Sequence, residues 1–153
     1  VDSNLNPQPS RITSMVDAYS MLLVGDQISG NIGIYSDEYF YEYGQEIRSY
    51  FTTAPISNNG KPFSIYAVEI VMETGSVPIS GQGSDPIIRM SVSKDGGRTF
   101  YPEITRKVGK IGEYRNRIAW DQQGRFERNA VLRFDISEPI RRVIKGLEVE
   151  IGA

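Results

Sequence analysis

Apolar and polar residues alternate with a period of two over much of the chain, a pattern typical of β-strands. The clearest example has Ile88, Met90 and Val92 on one face, with polar residues between them. Gly96 and Gly97 follow soon after this run, and they accept positive φ angles without a Cβ clash. The alternation then restarts, so the segment predicts two antiparallel strands joined by a glycine-containing turn.

This turn has a recognisable spacing, Ser-x-Asp-x-Gly-x-Thr-Phe, formed by Ser93, Asp95, Gly97, Thr99 and Phe100. The spacing resembles the Asp box of sialidase-like propellers. Asp95 is expected to accept hydrogen bonds from the amides of its own turn, with the aromatic ring packed beneath. We therefore interpret the box as a structural turn that carries no chemistry of its own.

The longest alternating segment, 63–73, is apolar on both faces in its middle, which predicts a central strand. Residues 121–124, Asp-Gln-Gln-Gly, predict a turn. Further strands are predicted at 19–24 paired with 31–35, and at 45–53, 101–108, 115–120, 125–136 and 140–151. No amphipathic helix of useful length is predicted.

About eight short strands with turn-rich connections predict an all-β fold, an antiparallel β-sandwich of jelly-roll-like character. We expect this sandwich over 45–153, short strands over 19–44, and a linker or loop over 1–18, where the sequence starts polar and Pro-rich. Because the first residue is Val rather than an initiator Met, we expect a segment of a longer chain. Residues 37–43 are acidic and rich in tyrosine, which suits either contact anchors or ordinary strand residues.

The 153 residues include no Cys and no His, so disulfides, thiolate metal sites and the commonest general base are all missing. This composition lowers the expectation of an enzyme without excluding one. No calcium-binding loop of the Asp-x-Asp-x-Asp-Gly type occurs, and we expect no metal and no cofactor. No apolar run approaches the roughly 20 residues that a membrane-spanning helix needs, so we expect no membrane span.

The net charge of −2 is unevenly distributed. One base stands against six acids up to Tyr43, whereas fourteen bases stand against seven acids from Arg89 to Lys145. Such asymmetry is typical of solvated strand faces, of contact with an acidic partner, or of contact with nucleic acid. Arg115 and Arg117 are expected to share a strand face as candidates for non-specific, salt-sensitive DNA contact. Trp120 is a further candidate for a partner contact.

Several short motifs occur in a consistent order. They are Asp-Gly-Gly-Arg-Thr-Phe at 95–100, Gly-Lys-Ile-Gly-Glu-Tyr at 109–114, Arg-x-Arg-x-x-Trp at 115–120, Gly-Arg at 124–125 and Phe-x-Ile-Ser-Glu-Pro at 134–139. Leu-Val-Gly-Asp at 23–26, Gly-Asn-Ile at 30–32 and Met-Glu-Thr-Gly at 72–75 precede most of them. The series resembles the C-terminal part of the packaged-DNA stabilization proteins of short-tailed bacteriophages, also described as tail hub or tail accessory factors. The family's usual basic turn after the Trp is replaced here by Asp-Gln-Gln at 121–123.

The resemblance implies a structural protein of the virion tail, assembled in the host cytoplasm, and not an enzyme. It implies copies arranged in a ring, as a hexamer, below the portal and its adaptor. It further implies contacts with the tail needle and tailspike proteins, retention of packaged DNA, and non-specific contact with that DNA. A propeller-like domain precedes this part of the family, so the strands from residue 19 onward would be its last blade.

Two other classes of protein remain open. A carbohydrate-binding sandwich would stack sugar rings on Trp120 and on tyrosines. A sialidase-like glycosidase would need several Asp boxes and an arginine cluster with a Tyr/Glu pair in one pocket, whereas this short chain has one box.

Overall fold

The computed structural model describes residues 10–36 and 38–152, which contain twelve β-strands and no helix. The predicted all-β class is therefore confirmed. The chain divides into two compact units, Val1–Glu46 and Ile47–Ala153.

The described residues of the first unit form five short strands: β1 (Ile12–Ala18), β2 (Met21–Asp26), β3 (Ile32–Ile34), β4 (Tyr41–Glu42) and β5 (Gln45–Glu46). The first three form an antiparallel sheet in the order β1-β2-β3, and the last two form a separate hairpin. The predicted pairing of 19–24 with 31–35 is confirmed, because Leu23 lies opposite Ile34 in the ladder.

The linker or loop predicted over 1–18 is corrected by strand β1, while residues 1–9 lie outside the described part of the chain. Most side chains of β1 are exposed. The strand therefore has no buried apolar face that an alternating sequence pattern could have predicted. Pairing with β2 across the turn of Tyr19 and Ser20 holds it, and both turn residues have φ of 57°. Consecutive positive φ angles match the strand twist in a two-residue hairpin turn, where Asn-Gly is the usual sequence signal. Tyr19 and Ser20 do not carry this signal, so the sequence did not predict the turn.

The second unit contains seven strands: β6 (Ser49–Thr52), β7 (Phe63–Met72), β8 (Ile87–Ser93), β9 (Ile104–Lys107), β10 (Ile118–Phe126), β11 (Val131–Ile136) and β12 (Ile144–Gly152). They form two antiparallel sheets, one in the order β10-β7-β12 and the other in the order β6-β11-β8-β9. The inner faces of both sheets supply one hydrophobic core, so the unit is a β-sandwich.

Three aromatic pairs lie in this core, of which one connects the two sheets and two lie within a sheet. The indole of Trp120, which is fully buried, meets the ring of Phe134 edge to face at a centroid distance of 5.6 Å. Phe51 stacks on Phe134 at 5.1 Å, and Phe63 stacks on Phe126 at 5.5 Å. Each aromatic pair of this kind adds about 1 kcal/mol to the free energy gained from area burial.

Strand β7 is central in its sheet, as predicted, because β10 and β12 pair with its two edges. A bulge at Tyr66 shifts the register on both sides. Ile65 and Val68 are therefore both buried, although strict alternation had placed them on opposite faces.

The turn predicted at 121–124 is instead a bulge within the continuous strand β10. Gln122 and Gly124 have φ angles of 53° and 88°, which turn the backbone locally without ending the pairing. The strand predicted over 115–120 begins at Ile118, so its first residues belong to the preceding connection.

Candidate interaction surfaces

The Asp-box turn is closed by hydrogen bonds among its own residues. The Asp95 carboxylate accepts bonds from the amides of Arg98 (3.0 Å) and Thr99 (2.9 Å) and from the Thr99 hydroxyl (2.6 Å). The Ser93 hydroxyl donates to Asp95 at 2.7 Å and accepts from the Gly97 amide at 2.9 Å. The bond from the Thr99 hydroxyl is the main reason that the pKa of Asp95 lies well below its usual range. These partners engage the carboxylate inside the turn.

The aromatic residue of the box lies at the outer surface of the sheet β6-β11-β8-β9. Phe100 is half-buried, and the Arg133 guanidinium lies 5.8 Å from its ring centroid. Gly96 and Gly97 adopt φ angles of 78° and 92°, so a side chain at either position would be strained.

Arg115, Arg117 and Trp120 do not form one surface. Trp120 is fully buried and its indole nitrogen donates to the Ile104 carbonyl at 2.9 Å, so its ring is not available to a partner or a sugar. The sequence interpretation of Trp120 as a contact residue is therefore corrected. Trp120 shares its buried face with Ile118, and the opposite face of the strand carries Arg117 and Asp121.

Arg117 precedes strand β10 and its side chain is 70% exposed. Its guanidinium donates to the Glu69 carboxylate at 2.6 Å, and this bond raises the pKa of Arg117. Arg115 is exposed in a turn and forms no ion pair with any described residue. The two arginines therefore do not share a strand face as expected, although both remain at the surface.

A group of arginines that the sequence did not predict surrounds Asp135 on the outer face of the sheet β6-β11-β8-β9. Asp135 is only 2% exposed. Arg48 binds its carboxylate through two nitrogens, at 2.6 Å and 2.5 Å. Arg89 lies 3.6 Å away and Arg133 lies 3.9 Å away. The hydrogen bond to Asp135 is the main cause that raises the pKa of Arg48.

Arg142 completes this arginine cluster, which we define as Arg48, Arg89, Arg133 and Arg142. Its guanidinium donates at 2.7 Å to the Ser49 hydroxyl and to the carbonyls of Ile47 and Glu138. Burial lowers its pKa, and the negative charge of Asp135 partly offsets that effect. The cluster brings together loops and strands far apart in the chain, so no local spacing pointed to it.

The arginine cluster has more positive charge than its acids balance. The Asp135 carboxylate lies within ion-pair distance of Arg48, Arg89 and Arg133, and the Glu103 carboxylate lies 3.7 to 3.8 Å from Arg48 and Arg89. Arg133 stacks on the ring of Tyr50 at 4.6 Å, and its buried Nε has no hydrogen-bond partner among the described residues. The side chains of Arg48, Arg89 and Arg133 remain 21–30% exposed. This face can therefore bind an anion.

The other sheet has acidic residues on its outer face, and we call Glu69, Glu148 and Glu150 the acidic strip. Glu148 lies directly opposite Glu69 in the ladder of β12 and β7. Leu147 and Val149 pack against the core, so the intervening glutamates point outward. Glu69 is paired with Arg117, whereas Glu148 and Glu150 form no ion pair within residues 10–36 and 38–152.

The described residues contain no group of three or more Asp or Glu side chains placed to hold a metal ion. None of their elements is a helix long and apolar enough to cross a membrane. Surface depressions occur beside Arg115, beside the acidic strip and beside Tyr101, and each is open and lined by a mixture of polar and apolar groups.

Comparison with known proteins gives one family match. The family described as "Bacteriophage P22 Gp10, beta-sandwich" matches residues 48–152, which is more than half of the chain. The match begins where the second unit begins and covers its two sheets. A search of curated proteins finds no match.

Proposed function

Since the chain belongs to the bacteriophage P22 Gp10 beta-sandwich family and is thus a phage virion structural protein of the tail, we propose that it acts as a tail hub or accessory factor. In this proposal it closes the portal channel, stabilises packaged DNA and anchors the tail needle or tailspikes. The family match over 48–152 is the observation that carries the proposal. The ordered motifs found in the sequence support it.

We propose that the protein works through binding surfaces and not as an enzyme. Three features support this role: an Asp box whose carboxylate is engaged within its own turn, a Trp buried in the core, and charged side chains on the outer faces of both sheets. The proposed partners are other copies in a ring, as a hexamer, together with the portal adaptor, the needle and the tailspikes. Assembly would take place in the host cytoplasm.

We further propose that strands β1 to β3 derive from the last blade of a preceding propeller. Their antiparallel order β1-β2-β3 supports this idea, because propeller blades are small antiparallel sheets. The carbohydrate-binding alternative is not favoured, since the ring that would stack on a sugar is buried.

Particles assembled without this protein test the proposed role. We expect heads that are packaged but lose DNA, measured as nuclease-sensitive DNA in purified particles, and tails that lack needle or spikes by electron microscopy. Supplying the protein from a plasmid should restore both properties. Particles that keep their DNA and a complete tail would contradict the proposal.

Direct DNA contact is a separate part of the proposal, and it rests on the exposed Arg115 and Arg117. Binding to a duplex of arbitrary sequence should weaken steeply with salt. Arg115→Ala should reduce the slope of log K against log salt by about 1, while Arg128→Ala, at an exposed position elsewhere, should not. Binding that is absent or insensitive to salt would remove the DNA contact and leave the hub role intact.

A further inference from the structure

The two outer faces of the sandwich have opposite charge. The arginine cluster lies on the outer face of β6-β11-β8-β9, and the acidic strip lies on the outer face of β10-β7-β12. Because each face points away from the shared core, the two sets cannot meet within one copy. They can meet between two copies.

The arginine cluster is organised in advance for binding carboxylates. The buried Asp135 and the Tyr50 ring hold Arg48 and Arg133 in place while leaving part of each side chain exposed. Arginine side chains held in this way lose little conformational entropy on binding, and their planar donors match the geometry of a carboxylate. In an isolated copy, the arginines of this face outnumber the two carboxylates, Asp135 and Glu103, with which they pair.

The acidic strip has matching spacing. Glu148 and Glu150 point from the same face of β12, about 6.6 Å apart at two residues along a strand. Arg89 lies opposite Asp135, two residues along β11 from Arg133, so the two arginines are diagonal neighbours about 7–8 Å apart. Two carboxylates and two guanidiniums can therefore pair at similar separations.

We propose that the arginine cluster of one copy binds Glu148 and Glu150 of a second copy, so that the sandwich associates head to tail. This inference rests on the proposed function, since a hub must assemble with itself, and it adds the contact surface. Different faces meet in such an interface, and it closes into a ring when the rotation between copies allows. Strand β12 is an edge strand, so its glutamates are accessible along the border of the sheet.

A charge-swap experiment on the whole chain tests this contact. Glu148→Lys with Glu150→Lys gives two basic faces, and Arg89→Glu with Arg133→Glu gives two acidic faces. In sedimentation at low salt we expect the wild type to self-associate. Each variant alone should self-associate about tenfold more weakly or worse, and an equimolar mixture of the two should regain association.

Matched controls separate this contact from the effects of net charge and of folding. Glu38→Lys with Glu127→Lys makes the same change in net charge at exposed positions elsewhere and should associate like the wild type. If the arginine double variant does not fold by circular dichroism, Arg133→Glu alone replaces it, because that side chain lies farthest from Asp135.

Three results would overturn the inference: a wild type that stays monomeric at its solubility limit, a glutamate variant that associates normally, or a mixture that does not recover. The particle experiment on DNA retention is independent of all three. If one of these results is found, the proposed hub role still stands, but with a different contact surface. Particles that keep their DNA and tail without this protein would contradict the hub role itself.

Discussion

At the scale of single residues, two aspartates show how placement decides the role of a side chain. Asp95 satisfies its carboxylate within a five-residue turn, so its contribution is local. Asp135 is buried and binds Arg48, which lies 87 positions away in the chain. Asp95 therefore stabilises a turn. Asp135 connects a loop to the sheet and holds arginines at the surface.

Asp95→Asn should lower the thermal midpoint of unfolding by several degrees. The amide cannot accept all the bonds from Arg98, Thr99 and Ser93, so amide donors of the turn lose their partner. Asp121→Asn makes the same change at an exposed position and should leave the midpoint nearly unaltered. Equal midpoints for the two variants would show that the box does not stabilise the fold.

The Asp95 carboxylate should also make the stability of the folded protein depend on pH. Its pKa in the folded state lies below the value in the unfolded chain, so the stabilisation is present above about pH 4 and disappears as pH falls through the folded-state pKa. The difference in unfolding free energy between the wild type and Asp95→Asn should therefore be constant near neutrality and shrink below about pH 4. Urea titrations at a series of pH values measure it, and a difference that grows toward acid would refute this explanation.

Asp135→Ala should destabilise the protein by about 2–4 kcal/mol, because the guanidiniums of Arg48 and Arg89 would lose their buried counter-charge. Glu103→Ala removes a carboxylate that is 43% exposed and at least 3.7 Å from the same arginines. It should cost about 0.5 kcal/mol or less. Chemical unfolding of both variants gives the comparison, and similar losses would contradict the importance of burial.

At the scale of elements, bulges decide which side chains of the long strands face the core. The shift at Tyr66 in β7 places Ile65 and Val68 on the same side, and the bulge of β10 carries the strand past Gln122. Both bulges let the sheet bend while its ladders continue. The bulge of β10 depends on two residues with positive φ, Gln122 and Gly124.

Gly124→Ala should destabilise the protein by about 1 kcal/mol, because φ at this position is 88° and a Cβ is strained there. Gly146→Ala is the matched control, since it also lies in a strand with no atom close to its would-be Cβ, and its φ is not positive. It should be neutral or slightly stabilising. A loss of equal size at both sites would show that strand propensity, and not backbone angle, sets the cost.

At the scale of the whole molecule, the core belongs to one of the two units. Every residue of the buried hydrophobic cluster lies between Phe63 and Ile140, within Ile47–Ala153. The first unit contributes Val24 as its buried apolar residue among those described. The sandwich therefore has the apolar burial needed to fold by itself.

Residues 47–153 expressed alone should unfold cooperatively, with a thermal midpoint within a few degrees of that of the full chain. The single Trp, Trp120, is buried in the core and reports this transition by fluorescence. A shorter segment, 64–153, lacks both strand β6 and Phe63. It should not fold as stably, because Phe63 stacks on Phe126 and Phe51 of β6 stacks on Phe134. A fragment 47–153 that shows no cooperative transition would mean that the sandwich needs the first unit.

The alternation of side chains by itself determined the all-β class, the central position of β7 and the turn between β8 and Thr99, because a period of two and a glycine-rich turn are local properties. The burial of Trp120 was established by the tertiary structure, which packs the Ile118 and Trp120 face of β10 into the core shared with the second sheet. Strand β1 and the bulge at 121–124 depend on backbone pairing that carries no local signal. The arginine cluster required the tertiary structure, because ion pairs between Arg48, Arg89 and Asp135 form only when distant strands become neighbours in a sheet.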